Sequence, residues 1–405
     1  MNILSGKRIV LGVSGSIAAY KSAELASALT KAGALVDTIL TDAASKLISP
    51  LTFSALTGRR AYLDSDLWRQ EDHVLHIELG EKNQAFLIAP ATANTIAKLA
   101  GGLADNLLTL AALASRTTIA VAPAMDGGMY SHTATQANLK ILQGRGVHIW
   151  GPAAGHLASG LSGKGRMLEP EILQGYLRQL LGQDGPLQGK KVVVTAGGTQ
   201  EPIDPVRVLS NRSSGKQGFA IAQAAIDAGG EVVLISAPTC LQAPLGASLI
   251  EIQTAREMGQ AVLEETKDAD LLIMAAAVAD YTPAARSQQK IKKESGRLAE
   301  LDLEPTEDIL GLIVARKKAE GSGPTAVIGF AAETEDLLEN ARDKLEKKEL
   351  DLIAANDVSR DDSGIGVDHN KVILIWKDGR TEELELLPKT QVAQILVREA
   401  AGLLD

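Results

Sequence analysis

An α/β architecture of two doubly wound, Rossmann-like domains is what this sequence predicts, and three observations predict it. Gly6-Lys-Arg-Ile-Val-Leu-Gly-Val-Ser-Gly-Ser16 and Gly189-Lys-Lys-Val-Val-Val-Thr-Ala-Gly-Gly-Thr199 each run a β-branched strand into a glycine-rich turn, so the chain opens the same way twice. Apolar residues make up 45% of the 405 and aromatics only 3%, which leaves Ala, Val, Ile and Leu to fill the core, as in parallel sheets covered by helices. Short strand-like runs also alternate with helical ones.

In the first half, strands are expected at Arg8–Val13, Leu35–Leu40, Ala85–Ala89 and Thr118–Ala122, with helices at Ala18–Ala32, Thr95–Leu99 and Leu107–Ala114. That alternation implies a parallel sheet with ligands beyond the carboxyl ends of its strands. Polar motifs fall at those ends: Gly12-Val-Ser-Gly-Ser16, Thr41-Asp42, Ala89-Pro-Ala-Thr-Ala-Asn94 and Ala122-Pro-Ala-Met-Asp126. Leu181-Gly-Gln-Asp-Gly-Pro-Leu-Gln-Gly189 has linker composition, which places the boundary near residue 188 and the domains at 1–188 and 189–405. The second half begins with a strand over residues 190–194, then a polar, glycine-containing loop from Thr195 to Gly218, then a helix from Phe219 closed by Gly229 and Gly230. Glycines before a helix start suit an anion. Neither common nucleotide fingerprint fits, because Gln217 follows Gly215-Lys216, Ser210 stands where a P-loop needs its first Gly, and there is no G-x-G-x-x-G.

A formal charge of −9 and the absence of a long basic run argue against nucleic acid. No segment approaches the ~20 apolar residues that cross a bilayer, and the start runs straight into a strand, so a soluble cytoplasmic protein is expected. One cysteine, Cys240, excludes an internal disulfide framework; with no basic neighbour in sequence it is expected to pack. His73 and His76 lack companion ligands for zinc.

Gly12-Val-Ser-Gly-Ser-Ile-Ala-Ala-Tyr-Lys21, His76-Ile-Glu-Leu79, Ala89 to Ala100, Ala104-Asp-Asn-Leu-Leu-Thr109 and Gly163-Lys-Gly-Arg-Met-Leu-Glu-Pro170 resemble the flavin-dependent cysteine decarboxylases. Asn211-Arg-Ser-Ser-Gly-Lys216, Ala275-Ala-Ala-Val-Ala-Asp-Tyr281 and Lys290-Ile-Lys-Lys293 resemble phosphopantothenoylcysteine synthetases. Together, over nearly the whole chain, they are similar to the bifunctional enzymes of coenzyme A biosynthesis.

The resemblance implies a flavodoxin-like FMN domain followed by a nucleotide-binding ligase domain. In the first, Ser14, Gly15 and Ser16 would seat the FMN phosphate, and Ala91, Thr92, Ala93 and Asn94, with Thr41 and Thr109, would hold the cofactor. His76 would be the catalytic base or orienting residue beside the flavin, a task suited to a side chain that titrates near neutral pH. The family commonly has Asn where this chain has Asp126, and a lid cysteine where it has Ser159. An ionised Asp126 repels a substrate carboxylate unless protonated or paired, and serine is a weaker acid than a thiol. Because the two changes occur together, Asp126 is read as the acid and Ser159 as its proton relay.

In the ligase half the resemblance makes CTP the donor of a nucleotidyl group to 4′-phosphopantothenate, with L-cysteine displacing the nucleotide. Asn211 would hold the acyl-nucleotide, Arg207 would pair with substrate phosphate or carboxylate, Asp280 would bind Mg²⁺, and Lys290 would neutralise phosphate. Lys344 and Lys348, four apart, fall on one helix face; a solvated charged face has the same spacing, and it is the resemblance that assigns them to the triphosphate. Met274, Ala275, Ala276, Phe330 and the run Glu307, Asp308, Ile309 and Leu310 would wall the base and ribose, with Glu307 replacing the family's proline. The family further implies trimeric flavin domains and dimeric ligase domains in one homo-oligomer. Two other readings stay open: an active ligase beside a flavin-binding but silent first domain, and a flavin enzyme for a different substrate.

Overall fold

The computed structural model describes residues 2–68, 74–158, 160–292, 301–333, 336–357 and 366–404. It divides into two compact units, Met1–Leu181 and Gly182–Asp405. Among the described residues no helix is long and apolar enough to cross a membrane.

The first unit runs β1 (Arg8–Val13), α1 (Ala19–Lys31), β2 (Leu35–Leu40), α2 (Asp42–Ser45), α3 (Pro50–Thr57), β3 (Ala61–Tyr62), a 3₁₀ turn (Asp64–Trp68), α4 (Leu75–Glu81), β4 (Ala85–Ala91), α5 (Ala93–Gly101), α6 (Leu107–Ala114), β5 (Ile119–Pro123), α7 (Gly127–Ser131), α8 (Thr133–Gly144), β6 (His148–Ile149), β7 (Ala153–His156), β8 (Ser162–Arg166) and α9 (Pro170–Gly182). Its sheet has the order β3-β2-β1-β4-β5-β6 with every pair parallel. Without the two-residue β3 this is the flavodoxin order. Strand periodicity of two sends Ile9, Leu11 and Val13 to the face under α1, α3 and α9, and Val10 to the face under α4, α5, α6 and α8. Beside the main sheet, β7 and β8 form an antiparallel hairpin.

The second unit runs β9 (Lys191–Ala196), β10 (Gln200–Pro202), β11 (Val208–Ser210), α10 (Lys216–Asp227), β12 (Glu231–Ser236), β13 (Ser248–Glu251), α11 (Ala255–Glu265), β14 (Leu271–Met274), β15 (Tyr281–Pro283), β16 (Leu303–Pro305), α12 (Ile309–Glu320), β17 (Ala326–Glu333), α13 (Leu337–Lys347), β18 (Leu352–Asp357), β19 (His369–Asn370), β20 (Val372–Trp376), β21 (Thr381–Glu383), β22 (Leu387–Pro388) and α14 (Lys389–Ala401). Its sheet, β13-β12-β9-β14-β17-β18-β20-β21, is parallel through β18 and antiparallel beyond. Val192 and Val194 face α10 and α14, whereas Val193 faces α11, α12 and α13.

Two sequence expectations are revised. The loop 195–218 is not irregular throughout, because Gln200–Pro202 and Val208–Ser210 pair as an antiparallel hairpin inside it. Cys240 is exposed rather than packed, since it lies beyond the end of β12, past the last buried residue Ala237.

Helix α10 lies unusually close to β9. A Cβ on Gly218 would sit 2.6 Å from Ala196 Cβ, 2.8 Å from the Thr195 carbonyl oxygen and 3.0 Å from Ala196 Cα, all on β9. Gly218→Ala should therefore destabilise the second unit by ~1–3 kcal/mol, the usual cost of overpacking. Peptide-resolved hydrogen exchange should speed up in β9 and α10 and stay unchanged in β1 and α1.

Candidate active sites

In the first unit β1 and β4 are sheet neighbours, but the helices that follow them pack on opposite faces, so a crevice opens between the two strand ends. Ser14, buried at that point, donates its hydroxyl to the Pro90 carbonyl (2.7 Å) and accepts from the Thr92 amide (3.0 Å). It laces the two loops together and is not itself open to a ligand. Thr92 caps α5 by accepting from the Thr95 amide, Thr41 caps α2 through Ala44, and the hydroxyl of Thr109, buried in α6, bonds to Asn106. Ala91 is buried at the end of β4, while in the first turn of α5 Ala93 is half-buried and Asn94 exposed. His76 lies in the first turn of α4, half-buried. A helix that returns to the start of β4 has its own start at the strands' carboxyl edge, so His76 shares that edge with Ser14 on the face opposite α1.

A cavity of about 360 Å³ lies against the start of α1, walled by Ser16, Ile17 and Ala18, by Asp126, by His156, Leu157 and Ala158, and by Lys21 and Arg166. Of the expected flavin-site residues it unites Ser16 and Asp126; His76, Thr41, Thr92, Ala93, Asn94 and Thr109 are not part of this wall. Asp126 caps α7 by accepting from the Gly128 amide (2.9 Å) and also borders a second cavity of about 520 Å³, walled by α7 and by Leu161 to Lys164 of the β7–β8 hairpin. Ser159 and His73 lie outside the described residues. The loop can approach a phosphate-bearing cofactor closely: Gly15 packs so tightly on α2 that a Cβ would meet Ala43 Cβ at 2.5 Å, and the N-cap residue of α1, Ala18, has no side-chain acceptor of its own, the Ser16 hydroxyl accepting from the Ala18 amide (3.3 Å) instead.

The second unit repeats the arrangement. Thr195, fully buried in β9, accepts from the amides of Ala275 and Ala276 (both 3.1 Å), which follow β14, and Thr199 accepts from Ala279 (2.9 Å). Beyond them opens a cavity of about 600 Å³ that brings together Asn211, Met274, Ala275, Ala276, Asp280, Glu307, Asp308, Ile309, Leu310, Phe330, Lys344 and Lys348. These come from loops and helices on both faces of the sheet. On the α12 and α13 side, Lys344 donates to the Phe330 carbonyl (2.8 Å) and Lys348 pairs with Asp308, which also caps α12. Met274, Ile309 and Leu310 belong to the core while bordering the cavity. Asn211 donates Nδ2 to the Val278 carbonyl (2.9 Å), which fixes its amide plane.

On the α10 and α14 side are residues that sequence reasoning did not single out. Lys389 is buried, donates to the Val367 carbonyl (2.6 Å), and has its pKa lowered by burial and by neighbouring Lys216. Lys216 pairs with Asp368 (2.6 Å). Asn356 Oδ1 is buried with no hydrogen-bond partner among the described residues. No sequence signal marks Lys389 or Asn356, because each belongs to an ordinary amphipathic or strand pattern, whereas Lys216 closes the Asn211–Lys216 motif.

Two expected ligands stand elsewhere. Arg207 gives its guanidinium to buried Asp204 (2.8 Å) and the Ile291 carbonyl (3.1 Å), and Lys290 is exposed; neither borders the cavity. Among the described residues no group of three or more His, Cys, Asp or Glu side chains is placed to hold a metal.

Residues 2–182 match the family described as Flavoprotein, and residues 187–403 match the DNA/pantothenate metabolism flavoprotein C-terminal domain. The chain is 42% identical to the coenzyme A biosynthesis bifunctional protein CoaBC of Bacillus subtilis (strain 168), over 99% of this chain and 98% of that one. It is 42% identical to the protein of the same name from Escherichia coli (strain K12), over 98% and 97%. Among solved structures, the C-terminal domain of a coenzyme A biosynthesis bifunctional protein CoaBC aligns with a TM-score of 0.46 at 37% identity, covering 54% of this chain and 98% of that one.

The Thr195 hydroxyl serves two amides at once. Thr195→Val, nearly the same shape, should leave both unpaired, cost ~1–3 kcal/mol in thermal unfolding, and release the 275–279 loop in hydrogen exchange. Thr195→Ser should restore both readouts.

Proposed function

The chain belongs to the CoaBC family of coenzyme A biosynthesis bifunctional proteins, enzymes with phosphopantothenate–cysteine ligase and phosphopantothenoylcysteine decarboxylase activities, and from that membership we propose how its two units divide the work. The second unit ligates 4′-phosphopantothenate to L-cysteine with CTP and Mg²⁺; the first decarboxylates the product with FMN. The observation that carries the ligase reading is the 600 Å³ cavity, whose wall collects cations on both faces of one sheet edge. The reaction binds two separate anions, a triphosphate and a phosphomonoester.

In the ligation, a carboxylate oxygen of phosphopantothenate attacks the α-phosphorus of CTP and pyrophosphate leaves. The cysteine amine then attacks the acyl carbon and CMP leaves with the bonding pair. Lys344 and Lys348 neutralise the triphosphate, and Lys348 exchanges part of its pairing with Asp308 for it. Asn211, its plane fixed by Val278, has a second N–H with which to hold the acyl-nucleotide as charge develops. Asp280 is an exposed carboxylate in the same wall, with Glu307 and Asp308 nearby. One or two carboxylates completed by phosphate oxygens and water is the donor set Mg²⁺ prefers, so an all-protein cage is not required.

In the decarboxylation, Gly15, Ser16 and the start of α1 hold the FMN phosphate, on a loop that Ser14 braces from behind. A bound flavin would supply a reversible two-electron oxidation of the substrate thiol: the oxidised thiol-bearing carbon accepts the electron pair left by CO₂, and the two electrons return to the substrate at the end, so that the product is again a thiol. Asp126 would protonate the carbon that lost CO₂, with Ser159 relaying the proton. The shared wall of Asp126, Leu157 and Ala158 supports this, since it sets the carboxyl beside the segment that precedes Ser159. His76 lies apart from that wall within one chain, so in a homo-oligomer with trimeric flavin domains it would serve a neighbouring chain's cavity.

A mass-spectrometric time course with phosphopantothenate, cysteine, CTP and Mg²⁺ should show phosphopantothenoylcysteine rise and then lose CO₂. Accumulation without that loss would mean a ligase beside a silent flavin domain, and no ligation would sink the reading. Asp126→Asn should slow CO₂ release by about 100-fold or more, the usual contribution of a general acid, and keep the flavin colour. Lys344→Gln should raise the KM for CTP about 10-fold and leave decarboxylation untouched.

A further inference from the structure

We propose that Arg166 binds an oxyanion of the decarboxylase substrate and that Lys21 is a positioning residue acting on it through Glu169, an inference that rests on the decarboxylase reading above. Lys21, one turn into α1, is 3% exposed. A buried ammonium is costly unless its donors are used. Two of them are: Nζ donates to the Met167 carbonyl (3.2 Å) and to Glu169 Oε1 (2.9 Å). The same Oε1 accepts from Arg166 Nη2 (2.7 Å), so one carboxylate oxygen joins a buried cation to an exposed one. The Lys21 ammonium, then Arg166, holds the Glu169 carboxyl below its ordinary range.

Arg166 is the last residue of β8, at the foot of the β7–β8 hairpin, where it stands opposite Ala153. The bridge therefore ties that foot to the helix whose start walls the 360 Å³ cavity. Arg166 and Lys21 both line that cavity, so its wall carries cationic groups that suit an anionic substrate. With Nη2 committed to Glu169, the guanidinium keeps further N–H donors in a fixed plane, the geometry that grips a carboxylate or phosphate by two bonds. The substrate carries both groups.

The test uses the full chain with its flavin, comparing Arg166→Gln, Arg166→Lys, Glu169→Gln, Lys21→Met and the double variant Arg166→Gln/Glu169→Gln. KM and kcat for CO₂ release are measured alongside a substrate titration followed by flavin absorbance, which reports on the first unit alone. Arg166→Gln should weaken binding and raise KM about 10- to 100-fold with kcat nearly unchanged, and Arg166→Lys should recover part of it. Glu169→Gln, at an exposed side chain, and Lys21→Met should raise KM less, and the double variant should be no worse than Arg166→Gln. With pantothenoylcysteine, which lacks the phosphate, a persisting penalty assigns the contact to the carboxylate and a vanished one to the phosphate. Unchanged binding in Arg166→Gln would overturn the proposal, and additive effects in the double variant would overturn the role of Lys21 and Glu169. If the unsubstituted protein releases no CO₂, the decarboxylase reading fails, while the absorbance titration still decides the place of Arg166. Should Lys21→Met lose flavin, Glu169→Gln decides the positioning.

Discussion

Both sites depend on one interaction: a buried hydroxyl at the carboxyl end of the first strand that laces it to the chain at the end of its central neighbour. A parallel sheet that sends its helices to opposite faces must part at one point, and there the backbone groups of two strand ends lose their usual partners. Ser14 in the first unit and Thr195 in the second supply the missing acceptor, and in the first also a donor. Without them each crevice would need water or ligand to satisfy its own rim. With them the crevice holds its shape before any ligand arrives, which removes part of the ordering cost of binding.

The residues around each crevice serve two purposes for the same reason. A helix that begins at a strand's carboxyl end exposes unpaired amides, and a short polar side chain is the cheapest remedy. Thr41, Thr92, Asn106 and Asp126 do this in the first unit, and Asp308 in the second. A cap on the rim of a cavity is also a polar group beside a ligand. This makes substitution there ambiguous: losing activity at Asp126 or Asp308 can report on a helix start as much as on chemistry, so flavin colour and the opposite unit's activity are needed as internal controls.

Much of the fold was legible because strand periodicity and glycine-marked openings are local signals. Arg8–Val13, Leu35–Leu40 and Leu107–Ala114 have the bounds the pattern implies. The hairpin β10–β11 was not legible, since three-residue strands carry too little alternation to stand out from a polar loop. Among site residues, those on loops that follow strands converge on the second cavity as the motifs suggest, because strand ends fix their place. Arg207 and Lys290 do not, and the cause is chemical: buried Asp204 claims Arg207 at three residues' distance, a pairing that sequence spacing alone does not distinguish from a surface ion pair. Lys21 and Lys389 went unnoticed because a buried lysine looks like any other lysine in a helix until its neighbours are known.

The exposed Cys240 is the chain's one thiol, and it stands on the second unit, outside the wall of that unit's cavity. A maleimide dye would thus attach at a single defined place without any residue being removed. Its signal would come from the second unit, and a flavin bound to the first would give a separate optical reporter, so both units of one molecule can be followed in the same cuvette.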